Sequence, residues 1–283
     1  MKKVILIVLV LLLAALPVTF AACSSVSQAS LLQIAYICSE EGEELYTYDV
    51  YHLEADNTKT KVGTMTMSFK LLDHADVTLD DPTAEDGKRI ERNVSGGLLV
   101  TTLTMDNDDS ILSEVVYRST RLSPIYSYKK TVIGGTEKIM QVIYGNGKYL
   151  HAKRFEGGVL VNDYRHERSG CYDNEQLYAI VRGAQFRNSA FSISYTCVNA
   201  LAATEDTIKI NEKSMVTPLA EAIPLAEGMK CFSFSISTDN DYSGNYYMTI
   251  ADSITVNGKT PKNVIHTIVE GEYVYALTAI AIS

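Results

Sequence analysis

The chain contains no tryptophan, and its 25 Lys and Arg residues are outnumbered by 34 Asp and Glu. The missing indoles remove the usual sugar-stacking platform, although 18 tyrosines are present to serve instead. The deficit of positive charge gives an acidic surface that repels phosphate backbones, so nucleic acid is not an expected partner. No CxxC spacing occurs among the five cysteines, which argues against a dithiol redox motif or a zinc knuckle. No GxSxG serine elbow is present, and the five histidines (His52, His74, His151, His166 and His266) are scattered. No repeat of fixed period stands out.

Three partial motifs fail on a required residue. Gly258-Lys259-Thr260 ends like a phosphate-binding loop, but Ser253 stands where the first glycine belongs. His166-Glu167 opens like a zinc-protease signature, but Gly170 replaces the second histidine. Asp163, Arg165, His166, Glu167 and Arg168 are therefore read as a solvated, charge-alternating edge. Asp239, Asp241, Ser243 and Gly244 match the first half of a calcium loop, yet Ile250 occupies the place of the closing carboxylate. A tight turn rich in Asp and Asn explains them without metal, and no cofactor is expected.

The N-terminus has a different character. Lys2 and Lys3 precede a purely apolar run, Val4 to Leu16, which Pro17 ends. That order is the order of a secretory signal, with an uncleaved membrane anchor over Val4 to Ala22 and plain secretion after a cut behind Ala21 as the rival readings. Phe20-Ala21-Ala22-Cys23 resembles the bacterial lipobox, in which the cysteine becomes the first mature residue and carries lipid, although Phe20 stands where Leu, Ile or Val is usual. The expected organisation is a signal peptide (1–22), a lipidated Cys23 with a tether (23–40) and one antiparallel β domain (41–283). Acyl chains contribute about 0.8 kcal/mol per buried methylene, so two or three hold a protein on a membrane. The expected location is extracytoplasmic and membrane-anchored. Two of the basic residues and no acidic ones fall in 1–22, so the remainder carries a net charge of −11. Cys38, Cys171, Cys197 and Cys231 remain; export permits disulfides, in any of three pairings.

From Leu45 onward the chain alternates apolar and polar residues. Met65, Met67, Phe69 and Leu71 take odd positions, with Thr66, Ser68 and Lys70 between them. Phe191, Ile193, Tyr195 and Cys197 repeat the pattern, as do Phe232, Phe234 and Ile236. Such strands have one buried and one wet face and pair antiparallel. Asn146-Gly147 and Asn257-Gly258 are tight-hairpin signals, and Gly96-Gly97, Gly134-Gly135 and Gly157-Gly158 mark further turns. Thr78 to Gly87 reads as an acidic surface loop and Asp106 to Asp109 as a hairpin tip. About ten to twelve strands at this spacing fit a mainly β fold, a strongly curved sheet forming a half-barrel or sandwich.

One segment breaks the alternation. Leu177, Ile180, Val181 and Ala184 fall on one helical face, behind Asp173 as cap with Gln176 reaching back. An amphipathic helix should pack on the sheet there. Pro218 to Ala226 is a weaker helix candidate, interrupted by Pro224.

A tyrosine-rich β chain behind a lipobox, with YDNEQLYAIVRGAQF (Tyr172 to Phe186) before a new strand, resembles the periplasmic half-barrel lipoproteins of the lipoprotein-carrier (LolA/LolB-like) fold. That resemblance implies an apolar concave face that carries an acylated ligand. The expected function is a non-enzymatic envelope binding module for a lipid, acyl chain or extended peptide, with Met65, Met67, Phe69, Phe191 and Tyr195 as candidate lining. A structural or interaction protein of the envelope is the alternative, and a hydrolase a more distant one.

Overall fold

The computed structural model describes residues 42–145, 149–167, 171–183, 192–199, 204–213, 220–227, 229, 231–238 and 246–283; for residues 192–199 and 204–213 only the backbone path is described. Cys23, Cys38, the leader, Phe191, Asn146-Gly147 and Asp239 to Gly244 lie outside them.

Among the described residues fifteen strands form a single sheet. They are β1 (Glu43–Leu53), β2 (Lys59–Asp80), β3 (Lys88–Met105), β4 (Ser110–Arg118), β5 (Pro124–Ile133), β6 (Thr136–Gly145), β7 (Tyr149–Glu156) and β8 (Val159–Glu167), followed by β9 (Tyr172–Asp173), β10 (Ser192–Asn199), β11 (Thr204–Lys213), β12 (Cys231–Thr238), β13 (Tyr246–Ser253), β14 (Lys262–Glu270) and β15 (Tyr273–Ile282). The spatial order is β8-β7-β6-β5-β4-β3-β2-β1-β15-β14-β13-β12-β11-β10-β9. Two meanders are thus zipped together by the first and last strands, with Glu44 opposite Ile282 and His52 opposite Tyr273. Every pairing is antiparallel except β9 with β10. Register shifts at Thr47/Tyr48, Val50/Tyr51, Val116/Tyr117 and Thr249/Ile250 are the kind of bulge that bends a strand and curls a sheet.

The alternation of β2 is realised as expected, with Met65, Met67 and Phe69 at 2%, 0% and 0% exposure. They join Tyr46, Tyr48, Leu99, Val115, Ile250 and Ile268 in the main core. Against this face packs the helix α1 (Leu177–Gly183), entered through a 3-10 turn (Asn174–Gln176). Asp173 caps the turn, its Oδ1 accepting from the Glu175 amide at 2.9 Å. Gln176 does not reach back; its side-chain amide donates to the Leu122 carbonyl. The helix is buried on more than its apolar stripe, because Ala179 and Arg182 are covered as well as Leu177, Ile180 and Val181. Residues 220–227 are turn and extended chain rather than helix, in keeping with Pro224, which lacks the amide an interior helical position must donate.

The expectation of one wet face fails in β3 to β6. Past Leu72 the β2–β3 hairpin loses register, with His74 and Asn93 both at positive φ. It folds back so that Val77 and Leu79 cover Val116, Tyr126 and Tyr128 in a second core. Consecutive residues Val115, Val116 and Tyr117 are accordingly all at 0% exposure. The expected acidic loop is part of this flap: β2 runs to Asp80, and Asp81 is buried, accepting from the Thr83 amide at 2.8 Å and its hydroxyl at 2.6 Å. Nor is Gly96-Gly97 a turn. It lies within β3, where a Cβ on Gly97 would sit 2.5 Å from the Tyr117 hydroxyl oxygen, so the glycine makes room for the ring. Gly157-Gly158, by contrast, closes the β7–β8 hairpin with φ of 54° and 80°, the left-handed pair a two-residue turn requires.

Candidate functional site

Two places in this fold gather chemistry. The first is the polar interior where the capped segment meets the sheet. β5 turns Ser127 and Lys129 inward and β6 turns Tyr144 the same way. Asp173 Oδ2 accepts from the hydroxyls of Ser127 and Tyr144, the latter at 2.6 Å. Lys129 Nζ pairs with Glu175 Oε1 at 2.7 Å. Burial raises the Asp173 carboxyl, and the Glu175 charge adds to it. Burial likewise raises Glu270 on β14, with Lys129 pulling it down and Glu175 pushing it up. For Lys129 burial works against the charge, but Glu175, Asp173 and Glu270 outweigh it and the ammonium is held above its ordinary value.

Raised carboxyls beside a lysine are the raw material of acid–base chemistry. Here they are closed in: Asp173 is 3% exposed and its acceptor positions are taken by protein donors. The arrangement fastens the helix to the sheet. Among the described residues no group of three or more His, Cys, Asp or Glu side chains is placed to hold a metal ion.

The second place is the end of the sheet at β8. It pairs with β7 on one side, Leu150 opposite His166 and Lys153 opposite Asp163, and with no strand on the other among the described residues. A bare edge presents unpaired amides and carbonyls to any extended chain, and native edges are usually blunted by charge. The second half of β8 follows that rule, with Asp163, Arg165 and Glu167 exposed as the alternation implied. The first half does not. Val159, Leu160 and Val161 are 64%, 46% and 47% exposed, a continuous apolar run directly after the Gly157-Gly158 turn. The opposite end of the sheet is β9, two residues long and packed against β5.

The sequence-derived ligand candidates fall elsewhere. Met65, Met67 and Phe69 are brought together, but under the helix and within the core, with almost no accessible surface. Tyr195 lies on the backbone path of β10, opposite Ile208. Phe191 and Cys23 are outside the described residues. Reasoning from the sequence missed Arg182, Asp173 as a buried junction, and Val159 to Val161. The last carried a readable signal, three apolar residues in a row where neighbouring strands alternate.

Among the described residues the fold is a mainly antiparallel, curved sheet carrying a single short α-helix. It can be superposed on a crystal structure from Brucella abortus described as a β-barrel-like protein of domain of unknown function DUF1849, with a TM-score of 0.46 and 10% identity, over 87% of this chain and 100% of that one. No family model matches the chain, and no curated protein matches it.

Proposed function

We propose that the protein is a non-enzymatic interaction module of the cell envelope, held to a membrane through acylated Cys23, which docks an extended polypeptide segment along β8. The observation that carries this reading is the β8 edge, which no strand among the described residues pairs, with three consecutive exposed apolar residues, Val159 to Val161. Strand addition takes its affinity from main-chain hydrogen bonds and its selectivity from alternate side chains, and both halves of that grip are present on β8. The lipobox-like Phe20-Ala21-Ala22-Cys23 and the apolar leader before it support the tether and the extracytoplasmic side.

An acyl-carrier role, as the lipoprotein-carrier resemblance implies, is less favoured. Its ligand would have to enter where α1 and the 3-10 turn already cover Met65, Met67 and Phe69. The docking reading is tested by placing a photocrosslinking amino acid at Val161 in the full chain in its own membranes, with Ile133, exposed at a hairpin end, as control site. A discrete adduct from position 161 and not from 133 supports docking at the edge. No adduct from 161, or the same smear from both, overturns it.

A further inference from the structure

The β2–β3 hairpin is broken at one level in both of its strands. The ladder steps from Leu72 opposite Gly96 to Ala75 opposite Val94, and then to Val77 opposite Glu91. β2 therefore carries one extra residue and β3 the next, two opposed bulges in succession, which bend the ribbon. Each holds a non-glycine residue in the left-handed region, His74 at φ 48° and Asn93 at φ 53°. Strained backbone of that kind gathers at switch regions. The bonds across the joint are exposed: His74 Nδ1 lies 2.8 Å from Asn93 Oδ1, and the Asn93 amide donates to Asp76 Oδ1 at 2.9 Å. Beyond the joint the flap, residues 75–94, lays Val77, Leu79 and Val94 over Val116, Tyr126 and Tyr128. Its far end is latched by the Tyr126 hydroxyl, which donates to the Asp80 carbonyl.

Closing this flap covers a carboxyl. Glu114 on β4 stands between Val100 of β3 and Tyr128 of β5, and its Oε2 is buried with no hydrogen-bond partner among the described residues. Gln141, opposite Tyr128 on β6, is half-satisfied too: its Nε2 donates to the Tyr126 hydroxyl at 3.3 Å, while its Oε1 is buried without a partner. Partly satisfied groups under a cover weaken the covered state. Burial lifts the Glu114 carboxyl and the charge of Asp80 on the flap adds to it; the Asp80 amide and Lys88, also on the flap, pull the other way without cancelling. β5 contributes only the phenols of Tyr126 and Tyr128, which feel Asp81 and Arg89 of the flap and Glu137 of β6 respectively. We infer that residues 75–94 form a hinged cover that turns about His74 and Asn93, closed over Val116, Tyr126 and Tyr128 while Glu114 is protonated and released when it ionises. The inference stands apart from docking at β8.

With the flap open, Glu114 meets water and returns to an ordinary value of about 4.3. Just above that value the closed form binds more protons than the open one, so raising the pH drives opening. Hydroxyl-radical footprinting of the detergent-extracted full chain reads this from Tyr126 and Tyr128, with exposed Tyr273 as reference and core Tyr46 and Tyr48 as controls. Between about pH 4.5 and 8, labelling of Tyr126 and Tyr128 should rise by up to about tenfold for each unit by which closure raises the carboxyl, while Tyr46 and Tyr48 stay unlabelled. Glu114→Gln should abolish the rise. Asp80→Asn removes the neighbouring charge and should move the midpoint of the rise to lower pH. Circular dichroism identical to wild type confirms that each variant is folded. No rise in the wild type, a rise that survives Glu114→Gln, or one shared by Tyr46 and Tyr48 overturns the inference. Should Glu114→Gln fail to fold, a midpoint that Asp80→Asn leaves unmoved overturns it equally.

Discussion

Arg182 Nη2 donates to Glu44 Oε2 at 2.8 Å, and the two side chains are 1% and 2% exposed. The guanidinium lies 4.9 Å from the Tyr46 ring centroid and 4.4 Å from that of Phe69. Its Nε and Nη2 also donate to the carbonyls of Asn263 and Lys262, at 3.1 and 2.9 Å, while the Tyr46 hydroxyl donates to the same Glu44 oxygen at 2.6 Å. One arginine therefore binds the helix to β1, β2 and β14 at the seam where the two meanders join.

Removing one partner of that pair leaves a buried charge without its counter-charge. Glu44→Gln or Arg182→Met should each cost about 3–5 kcal/mol. The double variant should cost less than the sum of the two, because neither charge remains to be stranded. Urea unfolding of all four proteins gives the coupling directly; additive losses would mean that the two groups do not act as a pair.

Gly97 gives a second, purely steric expectation. Gly97→Ala must move either β3 or the Tyr117 ring, and overpacking of that kind costs about 1–3 kcal/mol. Gly97→Ala combined with Tyr117→Leu should recover part of the loss seen with Gly97→Ala in the Tyr117 background. Thermal melts of the four combinations decide it.

Stability should carry a pH signature from Glu270. A carboxyl raised in the folded state binds more protons folded than unfolded. Its contribution is therefore complete below the unfolded value of about 4.3 and is lost as pH rises through the folded value. Buried His266 is shifted down by burial, so it acts in the opposite sense, costing stability as pH falls below about 6.5. The two are separable by substitution. Wild type minus Glu270→Gln should show unfolding free energy that declines from pH 4 toward neutrality. A flat or rising difference would show that Glu270 titrates normally.

Cys231 is 7% exposed and burial raises its thiol. Because the thiolate is the nucleophile, alkylation of Cys231 in the native protein at pH 7.5 should proceed only at the rate of unfolding, and become fast in denaturant. Peptide mass mapping over time follows this site alone.

Much of the sheet could be read from residue order because alternation and turn chemistry are local. Met65 to Phe69 face the core as written, the Asn257-Gly258 turn sits where two strands reverse, and Asp173 caps the helical segment. What could not be read depended on partners distant in sequence. Gly96-Gly97 resembles a turn until Tyr117, some twenty residues on, needs the space. Val116 and Tyr126 are buried by Val77 and Leu79 of the β2–β3 flap, some forty residues away in sequence, which no local pattern announces. Arg182 reads as the polar side of an amphipathic helix, and only Glu44, 138 positions away, brings it inside. The edge was half legible: the Asp163 to Arg168 run suggested a solvated margin, while nothing local says that β8 ends a sheet.

Amide hydrogen exchange on β8, in native membranes and again after dilution into detergent, tests the docking edge most directly. Protection across Val159 to Arg165 in membranes, falling at least tenfold on dilution, is the expected result. Exchange on β8 that is equally fast in both, while α1 and β14 stay protected, would contradict it.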